Sequence, residues 1–175
     1  MKKVIGFIMI FVIAVSACSF NDPGTGEINW ISIKELNQLY GKNPKPILLD
    51  VYTDWCGWCK HMDKTTYKNE KLIKYINEHY YAVKLNAESK DSFDFNNKHY
   101  GYKAKYKSNE LAEYLLYGQM SFPTTVFLPT MDARPAPLPG YQSAQDMEAP
   151  LKFFAEGFHK TKTFVEYNQG LKKEW

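Results

Sequence analysis

The chain has 175 residues, a net charge of +3 and three cysteines. That length suits one domain, large enough to bury roughly 70% of its unfolded surface and hold a core without disulfides. So small a charge gives no electrostatic case for a nucleic-acid partner.

Lys2 and Lys3 form a short basic region, and Val4 to Val15 is an almost unbroken apolar run, too short to span a membrane comfortably. With the small residues that follow, 1–17 reads as an export signal. The stretch "VSAC", Val15 to Cys18, resembles a bacterial lipobox, with Val15 where leucine is commoner. The resemblance implies that Cys18 is acylated and becomes the mature N-terminus; the alternative is an ordinary cleaved signal with an incidental Cys18. Cysteine arithmetic favours the lipid, because Cys56 and Cys59 can pair and leave Cys18 over. Several acyl chains, at about 0.8 kcal/mol per buried methylene, would hold the protein on a membrane. Residues 18–28 are polar, with Pro and Gly, and suit a flexible tether.

"SIKE", Ser32 to Glu35, is a capping-box pattern that predicts a helix to about Tyr40, which "GKNPKP" ends. "ILLDVY", Ile47 to Tyr52, reads as a buried parallel strand with an acid inside it. A helix follows from Cys56 to about Asp63, and a second from about Asn69 to Glu78 with Leu72, Ile73 and Ile76 on one face. "YAVKLN", Tyr81 to Asn86, is the next strand. Residues 87–107 have no clear period and read as an inserted excursion. Their lysines, interleaved with Tyr100, Tyr102 and Tyr106, suit a solvated loop or a partner-binding surface. Ser108 to Gly118 is a helix with a terminating glycine, and Thr124 to Leu128 a strand. Pro135, Pro137 and Pro139 forbid a central strand after it and permit an edge one. A last helix lies between Ser143 and Phe158, with Pro150 kinking it or starting its main part. Phe164, Tyr167, Leu171 and Trp175 form a stripe in the tail that docks on the domain or binds a partner.

"DVYTDWCGWCKHM", Asp50 to Met62, contains Cys56 and Cys59 at the carboxyl end of the predicted strand. They are a structural staple, half of a metal site or a working redox pair. At a helix N-terminus Cys56 faces free N–H groups and the positive end of the dipole. Such settings lower a thiol pKa from about 8.5 to as little as about 3.5, and thiolate is the attacking species. Cys59, one turn on, can then resolve a mixed disulfide at Cys56. An acid within "ILLDVY" is costly unless paired or protonated. A carboxyl with a raised pKa could take the proton from Cys59; the plainer alternative is an exposed or capping Asp50.

"ILLDVYTDWCGWCK" resembles the active-site strand and helix of the thioredoxin superfamily, especially its exported members with a W-C-x-W-C-K motif. The resemblance covers residues 29–158. It rests on Trp55 to Lys60, on Asp50 at the place of the family's buried acid, on Lys84 at the place of the lysine beside that acid, and on Pro123 in "SFPTTVFL" at the place of the cis-proline. It implies an α/β thioredoxin fold: a mixed central sheet with helices on both faces, an insertion at 87–107 and a C-terminal extension at 159–175. It further implies that Cys56 attacks, Cys59 resolves, and Asp50 and Lys84 assist proton transfer. Trp55, Gly57, Trp58, Phe122 and Pro123 would bind substrate. For Lys84, Pro123 and Trp55 the alternatives are a solvated lysine, a strand-start proline and a packing tryptophan. Trp58 replaces the proline common in cytosolic thioredoxins.

The expectation is a thiol–disulfide oxidoreductase of a bacterial envelope that reduces protein disulfides. It faces the periplasm or the outside, needs no bound cofactor, and is restored by a membrane or periplasmic thiol donor. His61 raises a rival, a copper-handling chaperone holding metal on Cys56 and Cys59. Haem attachment is not indicated, because Lys60 stands where histidine would be needed. A second rival is a binding module whose Cys56–Cys59 bridge is merely structural.

Overall fold

The computed structural model describes residues 26–175. The export signal, Cys18 and most of the tether lie outside them. β1 (Trp30–Ile31) leads into α1 (Ile33–Tyr40), where Ser32 and Glu35 form the expected capping box. β2 (Ile47–Tyr52) runs into α2 (Gly57–Lys64), a 3-10 turn at Thr66–Lys68, α3 (Glu70–His79) and β3 (Tyr81–Asn86). Four short strands follow: β4 (Phe93–Phe95), β5 (Lys98–Tyr100), β6 (Tyr102–Lys103) and β7 (Ser108–Asn109). Then come α4 (Glu110–Leu115), β8 (Thr124–Leu128), β9 (Ala136–Pro139), α5 (Ala144–Ala155) and α6 (Phe164–Gly170).

The main sheet has five strands in the order β1-β3-β2-β8-β9. β1 and β2 run parallel to β3, β8 runs antiparallel to β2, and β9 antiparallel to β8. β2 is central, and residues 47–51 are all buried, which explains an apolar run interrupted by Asp50 alone. Side chains alternate across the sheet. Ile47, Leu49 and Val51 pack with Ile33 and Leu36 of α1 and with Leu111 and Leu115 of α4. Leu48 packs on the other face with Met62 of α2, Leu72 and Ile76 of α3 and Leu151 of α5. Asp50 falls on the Leu48 face, beneath α2. The proline-rich β9 forms the edge, where a missing N–H costs no ladder bond to a further strand.

The structure departs from expectation in three places. The domain begins before residue 29: Ile28 is buried and Glu27 pairs with Lys68. Residues 87–107 are no solvated excursion, because Phe95 and Tyr100 are buried in the core against α1 and α4. β4 and β5 form a hairpin whose two loop residues, Asn96 and Asn97, both have positive φ, 49° and 58°. That is the backbone of a type I′ turn, for which asparagine is suited. The helix expected from Ser108 begins at Glu110, because Ser108 and Asn109 first pair with β6. It ends at Leu115, earlier than expected: Tyr117 (φ 52°) and Gly118 (φ 76°) are both left-handed, and Gly118 donates to the Glu113 carbonyl.

The tail stripe docks on the domain. Tyr167 packs against Phe153 and Phe158, and Trp175 meets Tyr75 edge-on with ring centroids 5.4 Å apart. Beneath the tail the fully buried Glu148 accepts from Lys152 Nζ and from the backbone N–H groups of Glu174 and Trp175.

Candidate active site

β2 delivers the chain to a tight turn in which the Cys56 N–H donates to the Thr53 carbonyl at 3.2 Å. Cys56 is the N-cap of α2, and its Sγ accepts from the Cys59 N–H at 3.0 Å. A sulfur at this cap position faces an N–H that α2 itself leaves unpaired. Cys56 and Cys59 are joined in a disulfide, their Cα atoms 5.3 Å apart. Both cysteines are nearly buried, whereas Trp55 and Trp58 are 66% and 62% exposed. Gly57 is exposed, and a Cβ there would meet nothing within 4 Å, so packing does not require the glycine.

The two tryptophans lead to opposite flanks. The Trp55 indole N–H donates to Glu88 Oε1 at 3.1 Å, and its ring meets Phe122 edge-on, centroids 5.9 Å apart. Phe122 precedes Pro123 through a cis peptide bond, as the resemblance to the thioredoxin superfamily implied. Trp58 packs against His61 and Tyr141, each with centroids 5.6 Å away. His61 is thus part of an aromatic cluster. Among the described residues no group of three or more His, Cys, Asp and Glu side chains is placed to hold a metal.

Below α2 lies a buried polar group. Lys84 Nζ is 3.5 Å from Asp50 Oδ2 and is hydrogen-bonded more closely to Asp63 Oδ1. Lys84 is not a free surface lysine: its ammonium lies 5.2–5.9 Å from the ring centres of Trp30, Tyr52 and Tyr67. Burial pushes the Asp50 carboxyl up to about 6; the Lys84 charge opposes the rise and the Asp63 charge adds to it. Tyr67 is buried beside it, and its phenol is raised well above its usual value by burial and then by the Asp50 charge. It therefore keeps its proton and can only donate or accept as a neutral hydroxyl. Asp50 Oδ1, Tyr67 Oη and Thr125 Oγ1 are buried with no hydrogen-bond partner among the described residues.

The structure thus brings together Cys56, Cys59, Trp55, Gly57 and Trp58 through the motif, and pairs Asp50 with Lys84 across the β2–β3 register. Phe122 joins this group through Trp55, with Pro123 next to it in the chain. Sequence reasoning missed Asp63, Tyr67, Glu88 and Tyr141. Asp63 had a signal: it lies four residues after Cys59 on one helix, and so on the same face. The other three are brought in by tertiary packing alone.

This arrangement of sheet, helix and cysteine pair defines a class. The family model described as a thioredoxin-like domain matches residues 34–155, and the chain belongs to that family. Within it, the chain is similar to segments of proteins named thiol:disulfide interchange protein DsbD. It is 36% identical over 45 residues to that of Pectobacterium atrosepticum, covering 26% of this chain and 8% of that protein. It is 33% identical over 85 residues to that of Escherichia coli O6:K15:H31, covering 41% of this chain and 15% of that protein. The chain therefore spans only a small part of these relatives. Among solved structures, a thioredoxin-fold protein from Helicobacter pylori aligns with TM-score 0.56 at 24% identity, covering 73% of this chain and 80% of that one. A structure titled DsbH oxidoreductase aligns with TM-score 0.52 at 18% identity, covering 74% and 85%. Both likenesses bear on the fold.

The Asp50 carboxyl has a consequence for stability. Folded, it holds its proton to about pH 6; unfolded, to only about pH 4. Between these values the folded state binds more protons, so stability falls as pH rises from about 4 to about 6 and stays lower above. Asp50→Asn removes this penalty, and Lys84 keeps Asp63 as partner. The variant should be more stable by on the order of 2 kcal/mol at pH 7.5 and should show no gain at pH 4. Denaturant melts at both pH values measure this; the same difference at both would mean that Asp50 titrates normally.

Proposed function

We propose that the protein is a thiol–disulfide oxidoreductase that reduces disulfides of protein substrates. The observation that carries this reading is the Cys56–Cys59 disulfide at the N-terminus of α2, on the sheet face that also carries a buried acid titrating near 6. In the dithiol form the Cys56 thiolate attacks one sulfur of a substrate disulfide. A bond forms between Cys56 Sγ and that sulfur, and the other substrate sulfur leaves as a thiolate that takes a proton. Cys59 then gives its proton to the Asp50 carboxylate and attacks Cys56 Sγ, releasing the second substrate thiolate. The substrate gains two electrons and the protein is left as the disulfide. A general base works best with a pKa close to the working pH, which a carboxyl near 6 approaches and an ordinary aspartate does not. Lys84 holds the Asp50 side chain from β3, while Trp55, Gly57, Trp58, Phe122 and Pro123 form the surface on which substrate lies. The disulfide is returned to the dithiol by a membrane or periplasmic thiol donor. The names of the DsbD relatives support thiol–disulfide exchange as the chemistry.

Cys59→Ala should accumulate mixed disulfides through Cys56, and Cys56→Ala should accumulate none. Non-reducing gels of the two variants read this, and equal adduct levels would defeat the assignment of roles.

The reductive direction is supported by the pairing of Asp50 with Lys84, matching the acid and lysine of reducing thioredoxins. The expected reduction potential lies below about −200 mV, on the thioredoxin side of the range from about −270 to about −120 mV. Equilibration with glutathione or dithiothreitol, followed through Trp55 and Trp58 fluorescence, measures it. A value above about −150 mV would make the protein an oxidase.

The same reading places the domain outside the cytoplasm, held by lipid on Cys18 to a bacterial envelope membrane. What supports it is the signal-like segment 1–17 and the "VSAC" stretch. Cys18→Ser should abolish fatty-acid labelling and move the protein to the soluble fraction; unchanged labelling would place the anchor elsewhere.

A further inference from the structure

We infer that residues 87–107, together with the loop before β8, build a side pocket of the redox site that receives a large apolar side chain next to the reacting cysteine of a polypeptide substrate. This rests on the proposal that Cys56 and Cys59 exchange disulfides with proteins, and it names a feature of the substrate that those cysteines cannot select by themselves.

On the Trp55 flank lies a cavity of about 380 Å³, lined among others by Glu88, Tyr106, Lys107, Met120 and Phe122. Its size is that of a small ligand site, enough for one large side chain and its adjoining backbone. Its link to the redox centre is Trp55, the residue before Cys56, which touches two of the lining residues, Glu88 and Phe122.

The chemistry of the lining favours an apolar occupant. Both carboxylate oxygens of Glu113, which also lines the cavity, are engaged, Oε1 by Ser108 Oγ and Oε2 by Lys103 Nζ. Glu88 is engaged by Trp55. The remaining lining carries the apolar surface of Met120, Phe122 and the Tyr106 ring, with the Lys107 side chain beside them. Tyr106 is 63% exposed on the loop between β6 and β7. That loop runs into the buried Asn109, whose N–H donates to the Ala87 carbonyl and whose side chain donates to the carbonyls of Ser89 and Asp91. Trp55 is also exposed, and it is fixed by Glu88. An aromatic side chain held in place but left bare, as Trp55 is, loses little freedom when a partner covers it, and such residues dominate binding energy at interfaces. The occupant is a polypeptide because the sulfurs are nearly buried between the two bare tryptophans. An extended segment laid over them sets one neighbouring side chain above the Trp55 flank.

The test uses the full chain in its dithiol form and two peptide disulfides that differ only in Phe or Ala beside the cysteine, with oxidised glutathione as reference. The native protein should reduce the Phe peptide about tenfold faster than the Ala peptide in kcat/KM, the scale on which apolar pockets discriminate. Tyr106→Ala combined with Met120→Ala should remove most of that ratio, and should lower the rate on the Phe peptide relative to glutathione. Tyr106 is exposed and Met120 only partly buried, so the variant should fold. Equal rates on the two peptides, or a preference that survives the double substitution, would overturn the pocket while leaving the exchange reaction intact. If no disulfide is reduced by any form, the exchange reading itself fails. The pocket is then decided by nuclear magnetic resonance on the oxidised full chain: the Phe peptide should shift the Met120 methyl signal more than the Ala peptide, and no difference would overturn it.

Discussion

Asp50 occupies the middle strand of the sheet at a position where an aliphatic side chain would pack without cost. Its carboxyl is buried, and the ammonium that could neutralise it is shared: Lys84 Nζ stands 3.5 Å from Asp50 and closer to Asp63. A lysine committed wholly to Asp50 would hold the carboxylate ionised and its pKa low. Divided between two acids, it leaves Asp50 under-compensated, so burial dominates and the proton is held to about pH 6. Asp63 thus acts on Asp50 twice, by drawing off its counter-charge and by adding a negative charge of its own. The rings of Trp30, Tyr52 and Tyr67 surround the ammonium and limit where it can go. A group placed in this way is a stability liability at neutral pH, which is the usual condition of residues tuned for proton transfer.

The rest of the redox end follows from where β2 stops. The chain leaves the strand, turns through Thr53, and starts α2 on Cys56, so the sulfur falls on the helix axis where unpaired N–H groups gather. Loops from different parts of the fold then enclose the pair. On one side Glu88, following β3, fixes Trp55 against Phe122. On the other, Tyr141, between β9 and α5, meets Trp58 and His61, and its hydroxyl lies 3.2 Å from Thr65 Oγ1. The neighbouring Thr66 hydroxyl donates to the Gln142 carbonyl, which ties α2's exit to the same loop. Two exposed aromatic flanks around a nearly buried disulfide form a surface suited to a chain lying across it.

Much of this was legible before the fold was known because the signals were local. The capping box at Ser32, the apolar run at Ile47–Tyr52 and the prolines of β9 each act within a few residues, and each produced the element expected of it. The cysteine pair was legible as an arrangement on a strand and helix, and Lys84 through its resemblance to a family pattern. Residues 87–107 were not, because β4 and β5 are only three residues each, too short to show alternation. The asparagine pair between them carried a hairpin signal that their high polarity obscured. Burial of Phe95 and Tyr100 depends on α1 and α4, which no local pattern reveals. The same holds for Glu88 and Tyr141, whose meeting with the motif spans long stretches of chain.

Glu148 is the useful contrast to Asp50, because burial raises the energy of both carboxylates and their protons respond in opposite ways. Glu148 is fully buried in α5, and desolvation by itself would push its pKa up. Hydrogen bonds from Lys152 and from the backbone N–H groups of Glu174 and Trp175 outweigh that and hold it below the usual range. Every one of these donors favours the charged form, and together they fasten the tail to α5. Asp50 instead has one shared ammonium and an oxygen with no hydrogen-bond partner among the described residues. Donors committed to the carboxylate thus mark the acid locked as a structural anion, and their scarcity marks the one left able to exchange a proton. By that criterion the acid beneath α2 remains free to titrate, and the acid beneath the tail is a fastener.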